Sequence, residues 1–204
     1  MSSSDTYRTL QDTAESLYKV KGSKHFGYAI PVYSKEEIKE RLEEIRKIHH
    51  ASRHVCYAYR LGLDKKVYRA NDDGEPSNSA GKPILGQIQS YNLTNVLIAV
   101  VRYFGGVKLG VGGLIDAYRT SAKEAIEAGT IIERQVCHRY AITFPYPAMS
   151  GVMKILKDRQ LPQYNQQFEI TCRLETDVRL DDAAAVEQEL TDVDGATFQV
   201  LYTA

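Results

Sequence analysis

The residues best suited to chemistry in this sequence form one string, Arg102-Tyr103-Phe104-Gly105-Gly106-Val107-Lys108-Leu109-Gly110-Val111-Gly112-Gly113-Leu114. Five glycines fall within nine residues there. Glycine permits positive φ and close backbone approach. A glycine-rich loop ahead of a helix leaves N–H groups pointing outward, where an anion such as phosphate can sit. Arg102, Lys108 and Arg119 supply positive charge nearby. The string therefore fits a contact with phosphate or an RNA backbone. It fits equally well a tight strand-to-helix turn packed on its own sheet. It is not GxxxxGK[ST], and it lacks the full GxGxxG fingerprint.

A second segment, Asn71-Asp72-Asp73-Gly74-Glu75-Pro76-Ser77-Asn78-Ser79-Ala80-Gly81, places three carboxylates within four residues. Asp72, Asp73 and Glu75 are oxygen ligands of the kind that hold Mg²⁺ or Ca²⁺, although the EF-hand spacing is absent. Asp-Gly and Glu-Pro are also strong turn dipeptides, and Asp side chains bond neighbouring backbone amides. The turn is the favoured reading. Ser77 or Ser79 acts as a nucleophile only with a base beside it.

A third cluster holds His49, His50, His54 and Cys56. His54 and Cys56 share one face of a strand, but no second pair is spaced to complete a zinc site. No metal and no cofactor is expected from these residues, and none is assigned a catalytic role. Cys56, Cys137 and Cys172 are an odd, widely spaced set. With no secretory signal at the start of the chain, they read as free thiols of a cytoplasmic protein. Cys137 and Cys172 read as small apolar fillers of strands.

Elements must position these residues. Glu15–Val20 and Lys24–Val32 read as strands around a Lys21-Gly22-Ser23 turn. Ser34-Lys35-Glu36-Glu37 has the form of a capping box before an amphipathic helix over 35–50. His54–Leu61 and Val67–Ala70 read as a hairpin, and Ile84, Leu85 and Ile88 as part of a helix over 82–91. Asn95–Phe104 is nearly continuous Val, Ile and Leu, the pattern of a buried central strand. A helix over about 112–128 follows the glycine loop and stops at Gly129. Beyond it the expected order is strand (134–144), helix (147–159), strands (about 162–167 and 168–176), helix (181–191) and strand (196–203). That βαββαβ order is the one used by ferredoxin-like sandwiches, and the chain as a whole reads as α+β.

The chain of 204 residues is 43% hydrophobic and 25% charged, with 26 basic and 26 acidic side chains. These are globular proportions. Zero net charge excludes a polybasic protein that coats nucleic acid indiscriminately. The zero is uneven: residues 1–130 carry 19 basic against 15 acidic side chains, and residues 131–204 carry 7 against 11. With the drop in glycine after Gly129, this predicts two domains, 1–130 and 134–204. The longest apolar stretch, Val96–Val101, is too short to cross a bilayer, so no membrane partner is expected.

Taken together, Asp72-Asp73-Gly74-Glu75-Pro76, Ala80-Gly81-Lys82-Pro83-Ile84-Leu85, the Arg102–Gly110 string, and Gly112-Gly113-Leu114 with Ala117-Tyr118 resemble the signature of the IMPACT family. Its bacterial YigZ branch is an uncharacterised protein family with a small C-terminal domain, and the resemblance covers essentially the whole chain. It implies an N-terminal domain like domain 2 of ribosomal protein S5 and domain IV of elongation factor G, and a C-terminal ferredoxin-like domain. Eukaryotic relatives regulate translation by competing for the activator of an amino-acid-starvation kinase, and bacterial members have been proposed to bind nucleic acid or ribosomes. The resemblance thus implies a non-enzymatic regulator of translation whose partner is RNA or the ribosome. A protein-interaction module competing for a translation or stress-response partner is the alternative, and a metal-dependent phosphate-ester or nucleotide hydrolase using Asp72, Asp73 and Glu75 is a third. The expected binding surface joins Asp72, Asp73, Gly74, Glu75, Ser79 and Gly81 to Arg102, Tyr103, Phe104, Gly105, Gly106, Lys108, Gly110, Gly112, Gly113 and Arg119. Arg102 and Lys108 would meet phosphate, and Tyr103 would stack on a base. Two positions depart from the family pattern. Asn78 and Ser79 stand where Gly-Thr is common, and Asp116 stands where many members have Arg.

Overall fold

The computed structural model describes residues 6–203. Residues 7–134 form one compact unit, and the chain from residue 135 onward another. Both mix helix and strand, an α+β protein. Among the described residues no helix is long and apolar enough to cross a membrane.

The first unit runs β1 (Thr6–Leu10), β2 (Ala14–Val20), β3 (Ser23–Pro31), α1 (Lys35–Ile48), β4 (His54–Leu61), β5 (Val67–Asn71), α2 (Gly81–Ser90), β6 (Val96–Tyr103), α3 (Gly110–Ala128) and β7 (Ile131–Gln135). Its main sheet has the order β2-β3-β6-β4-β5 and is antiparallel throughout, while β1 and β7 pair separately. The apolar run is the central strand β6. Side chains alternate faces along a strand. Val96, Ile98 and Val100 meet Ile84 and Ile88 of α2 and Leu114, Tyr118, Ala122 and Ile126 of α3. Leu97, Ala99 and Val101 meet Ile38 and Ile45 of α1 with Tyr28, Ile30, Val55 and Tyr59. Helices cover both faces, so neither set can be polar, and Val96 to Val101 are all fully buried. The same alternation sends Arg102 to the α3 face and Tyr103 to the α1 face.

The Ser34 hydroxyl accepts from the Glu37 N–H at 3.1 Å and caps α1. Glu37 reaches back to the N–H of Tyr33 rather than to that of Ser34, a capping box displaced by one residue. Gly129 ends α3, but in extended rather than left-handed backbone. A methyl group there would press on Ala14 and Leu10 at 3.1 and 3.2 Å, so packing explains the glycine.

The second unit runs β8 (Cys137–Pro145), a 3-10 turn (Tyr146–Ala148), α4 (Met149–Asp158), β9 (Tyr164–Gln167), β10 (Thr171–Arg179), α5 (Leu180–Thr191) and β11 (Thr197–Thr203). Its sheet order is β11-β8-β10-β9, antiparallel. Val152 and Leu156 of α4 and Val186 and Leu190 of α5 pack on Tyr140, Ile142, Phe144, Cys172 and Leu174. Several boundaries differ from the sequence reading. The strand expected over 134–144 is two strands, β7 and β8, in different sheets, broken at buried Val136, whose carbonyl accepts from Leu180 N–H. Pro147 lies in the 3-10 turn, α3 starts two residues earlier than expected, and the strand expected at 168–176 is shifted to Thr171–Arg179.

His25 is the odd member of the first core. It is fully buried and its two ring nitrogens have no hydrogen-bond partner among the described residues. Its ring meets Tyr118 edge-on at 5.4 Å. Burial above all, and then the nearby Arg102 charge, against an opposing contribution from Glu75, push its pKa down to about 4. The folded state holds His25 neutral, whereas the unfolded chain takes up a proton near pH 6.5. Below that pH the unfolded state binds more protons, so stability falls as pH drops from about 6.5 towards 4. The shift corresponds to about 3 kcal/mol across that window. We expect His25→Phe to flatten this part of the stability profile, read as denaturant midpoint against pH. An unchanged slope would show that His25 does not carry it.

Candidate functional site

The segment Asp72–Gly81 is organised by its first carboxylate. Asp72 Oδ1 accepts from the N–H groups of Ala80 (3.0 Å) and Gly81 (2.8 Å), and Oδ2 from that of Asn78 (2.9 Å). It thereby caps α2, whose N-cap residue Ala80 has no capping side chain. Burial works to raise the Asp72 pKa, but the three amides, with Lys82 beside them, prevail and hold it below the usual carboxylate value. Asn78 takes left-handed backbone at φ 64°, which Asn tolerates. The fully buried Ser79 hydroxyl donates to the Pro76 carbonyl at 2.6 Å. A methyl group on Gly81 would strike the backbone of Asn71 at 2.5 Å, so β5 needs glycine there.

Asp73 faces elsewhere. Its carboxylate accepts from Val55 N–H (2.7 Å) and from Arg46 (3.0 Å), and its carbonyl accepts from Nδ1 of His54 (2.8 Å). Gly74 turns the chain at φ +85°. Glu75 then points inward, its side chain 4% exposed, and Oε1 accepts from Arg102 Nη1 at 2.7 Å and from the Tyr118 hydroxyl at 2.9 Å. The three carboxylates thus diverge to three sets of partners. This corrects the hydrolase alternative, which needs them around one ion. Among the described residues no group of three His, Cys, Asp or Glu side chains is placed to hold a metal. Cys56 is buried with its thiol on the Asp72 carbonyl at 2.9 Å. Burial, opposed by a Tyr118 hydrogen bond and aided by the acidic turn, pushes its pKa up to about 12, the state of an inert thiol.

The glycine string divides by role. Gly105 lies against the Lys21-Gly22-Ser23 turn so closely that a methyl group would sit 1.8 Å from the Gly22 carbonyl carbon. Its N–H donates to the Ser23 hydroxyl at 3.2 Å. Gly106 and Gly110 take positive φ, +87° and +73°. Gly112 faces open space in the first turn of α3. That turn carries no acidic side chain and no capping side chain, so its amides and the positive end of the helix dipole stay uncovered.

Gly110 and Val111 of that turn line a cleft of about 760 Å³ together with Arg53, His54, Arg102, Phe104 and Lys108, whereas Gly112 and Gly113, expected at the binding surface, are not part of its lining. Glu75 and Pro76 of the acidic turn border it too, so the two segments singled out in the sequence meet there. Individual roles change. Arg102, expected to face phosphate, is only 8% exposed and pairs with Glu75. Tyr103, expected to stack on a base, donates or accepts a hydrogen bond at 3.0 Å with His49 and packs edge-on against Phe26. Phe104, 60% exposed beside the Arg102 guanidinium, is the free aromatic surface. Arg119, expected to offset Asp116 for an anion, bonds that very carboxylate at 2.8 Å on the surface of α3. Lys108 is exposed, as is Arg53, a residue the sequence reading passed over. Arg53 comes to the cleft because His54 pairs directly with Arg102 across β4 and β6. The His-rich run around it was its only local signal.

The Glu75–Arg102 pair invites a stability test. Removing one member of a buried ion pair leaves the other charge uncompensated. We expect Glu75→Gln to lower unfolding free energy by about 3 kcal/mol, and Glu75→Gln combined with Arg102→Met to lose less than the single change. Urea denaturation reads both. A single-variant loss below about 1 kcal/mol would place the pair among ordinary surface contacts.

Comparison with known proteins follows the same residues. The Impact N-terminal domain matches residues 21–126. The chain is 38% identical over 142 residues to an IMPACT family member from Thermus thermophilus, covering 70% of this chain and 76% of the relative. It is 29% identical over 188 residues to the IMPACT family member YvyE of Bacillus subtilis, covering 92% and 87%. The crystal structure of a hypothetical protein superposes with a TM-score of 0.74 at 24% identity, over 97% of this chain and 98% of the other, and so shares the fold. The glycine string, the acidic turn and all but the last two residues of α3 lie within the matched domain, and by that match the chain belongs to the IMPACT family.

Proposed function

We propose that this protein is a non-enzymatic, cytoplasmic regulator of translation that contacts RNA, free or on the ribosome, through the cleft beneath the glycine loop. The observation that carries the reading is convergence. Exposed Lys108 and Arg53, the exposed ring of Phe104 and the uncapped first turn of α3 border one cleft. Cations and helix-end amides suit phosphate, and an aromatic face suits an unstacked base. Family membership supports translation as the setting. The strand order β11-β8-β10-β9 with two helices supports a ferredoxin-like domain over 134–204, and the helix-covered sheet of the first unit supports an S5 domain 2-like domain over 1–130. A protein partner is the second reading, favoured by the acidic excess of residues 131–204.

Few cations border the cleft, so binding should depend on salt only modestly. We expect single-stranded RNA affinity to fall with salt at a log–log slope of about −0.7 per phosphate contacted. Lys108→Ala should reduce that slope by about one contact. Phe104→Ala should weaken binding by about 1–3 kcal/mol. Gly112→Ala should leave the fold intact, because its methyl group meets nothing within 4 Å, and should leave binding unchanged, because Gly112 does not line the cleft. Fluorescence anisotropy across a salt series measures all three. Binding that ignores salt, or none at all, would overturn the RNA reading, and recovery of a nuclease-resistant protein partner would then favour the second.

A further inference from the structure

The hydrogen-bonding capacity of the cleft is lopsided. Lys108, Arg53 and the amides at the start of α3 are donors. Arg102 also lines the cleft, but its Nη1 is committed to Glu75 and its unpartnered Nε is buried. Glu75 and His54 of the lining offer side-chain acceptors. Glu75 Oε1 already takes two hydrogen bonds, and its other oxygen belongs to a negative carboxylate that repels an anion. His54 offers an uncharged acceptor. Its Nδ1 lies 2.8 Å from the Asp73 carbonyl, and a carbonyl only accepts, so Nδ1 carries the proton. In the neutral ring Nε2 is then an acceptor, and no hydrogen bond to it is formed among the described residues. The Asp73 carbonyl fixes the tautomer as well as the ring orientation.

A ligand matching this lining brings an anion for the donors, a flat apolar body for Phe104, Leu109, Val111 and Leu114, and one hydroxyl or amine donor for His54. A ribonucleotide unit has all three. Its 2′-hydroxyl is the donor that every residue of RNA carries whatever its base, and it is the group that separates RNA from DNA. The cleft volume, about 760 Å³, lies within the range of small-molecule sites. Resting on the RNA reading above, we infer that the cleft holds one ribonucleotide monophosphate unit and that His54 selects ribose over deoxyribose by accepting from the 2′-hydroxyl.

The test compares a short single-stranded oligoadenylate with its deoxy and 2′-O-methyl counterparts, and adenosine 5′-monophosphate with deoxyadenosine 5′-monophosphate. One hydrogen bond predicts a preference of about five- to tenfold for the ribose forms. His54→Asn keeps a side-chain N–H for the Asp73 carbonyl and removes the Nε2 acceptor, so it should bring RNA affinity down to that of DNA. The 2′-O-methyl strand asks the same question of the unaltered protein and needs no variant to fold. Ribose preference in the free nucleotides would assign the site to mononucleotides, and preference in the strand alone would assign it to single-stranded RNA; either supports the inference. Equal affinity for the ribo, deoxy and 2′-O-methyl strands overturns it while leaving RNA binding in place. Absence of binding by every probe overturns both.

Discussion

The buried Glu75–Arg102 pair is the contact on which the rest of the site depends. Two charges at 2.7 Å with exposures of 4% and 9% must offset a desolvation penalty of several kcal/mol each. The Tyr118 hydroxyl helps by adding a second donor to Glu75. The pair ties the acidic turn, which α2 follows, to the end of β6, which the glycine loop follows. Tyr118 brings in α3. Three chain segments far apart in sequence are thus fixed by one carboxylate. The pair also explains why Arg102 cannot serve as a freely swinging phosphate ligand: moving its guanidinium to an anion would strand Glu75 in the interior. The positive character of the cleft is left to Lys108, Arg53 and the end of α3.

The glycine string shows how one run of identical residues serves several physical ends. Gly105 is glycine because the Gly22 backbone occupies the place of its side chain. Gly106 and Gly110 are glycine because positive φ costs other residues about a kcal/mol or more. Gly112 satisfies neither condition. It sits in a helix where alanine would be more stable by about 0.5–1 kcal/mol, and nothing in the fold requires its missing methyl group. Neither packing nor backbone conformation explains Gly112, and it is not among the residues that line the cleft.

Much of the fold was legible because burial leaves a periodic trace. The unbroken Val96–Val101 run can only be a strand covered on both faces. Ile38, Leu42 and Ile45 give α1 at helical spacing, and Ser34 marks its start. The break at Val136 was not legible, since β7 and β8 are both strands and only their sheets differ. The site was legible as segments and not as roles. Asp72-Asp73-Gly74-Glu75 does read as a turn, but nothing local says that Asp72 caps a helix while Glu75 enters the core. That Tyr103 turns to α1 while Phe104 stays in solvent follows from strand parity and the end of β6. Arg53 required the β4–β6 register, a long-range fact.

Charge places the last constraint on what this cleft can do. Asp116 places a negative charge in the second turn of α3, close to the uncapped start of that helix. In the fold, Asp116 and Arg119 bond one another on an exposed helix face, and such a surface pair is worth at most about 1 kcal/mol. Their charges cancel as seen from the cleft, so Asp116 adds no unbalanced anion and Arg119 no free cation. With a neutral chain and few free cations at the site, counterion release supplies little of any affinity. The remainder must come from stacking and directed hydrogen bonds. Those discriminate between ligands where bare charge does not, so a weakly charged cleft built on a rigid buried pair favours selection over grip.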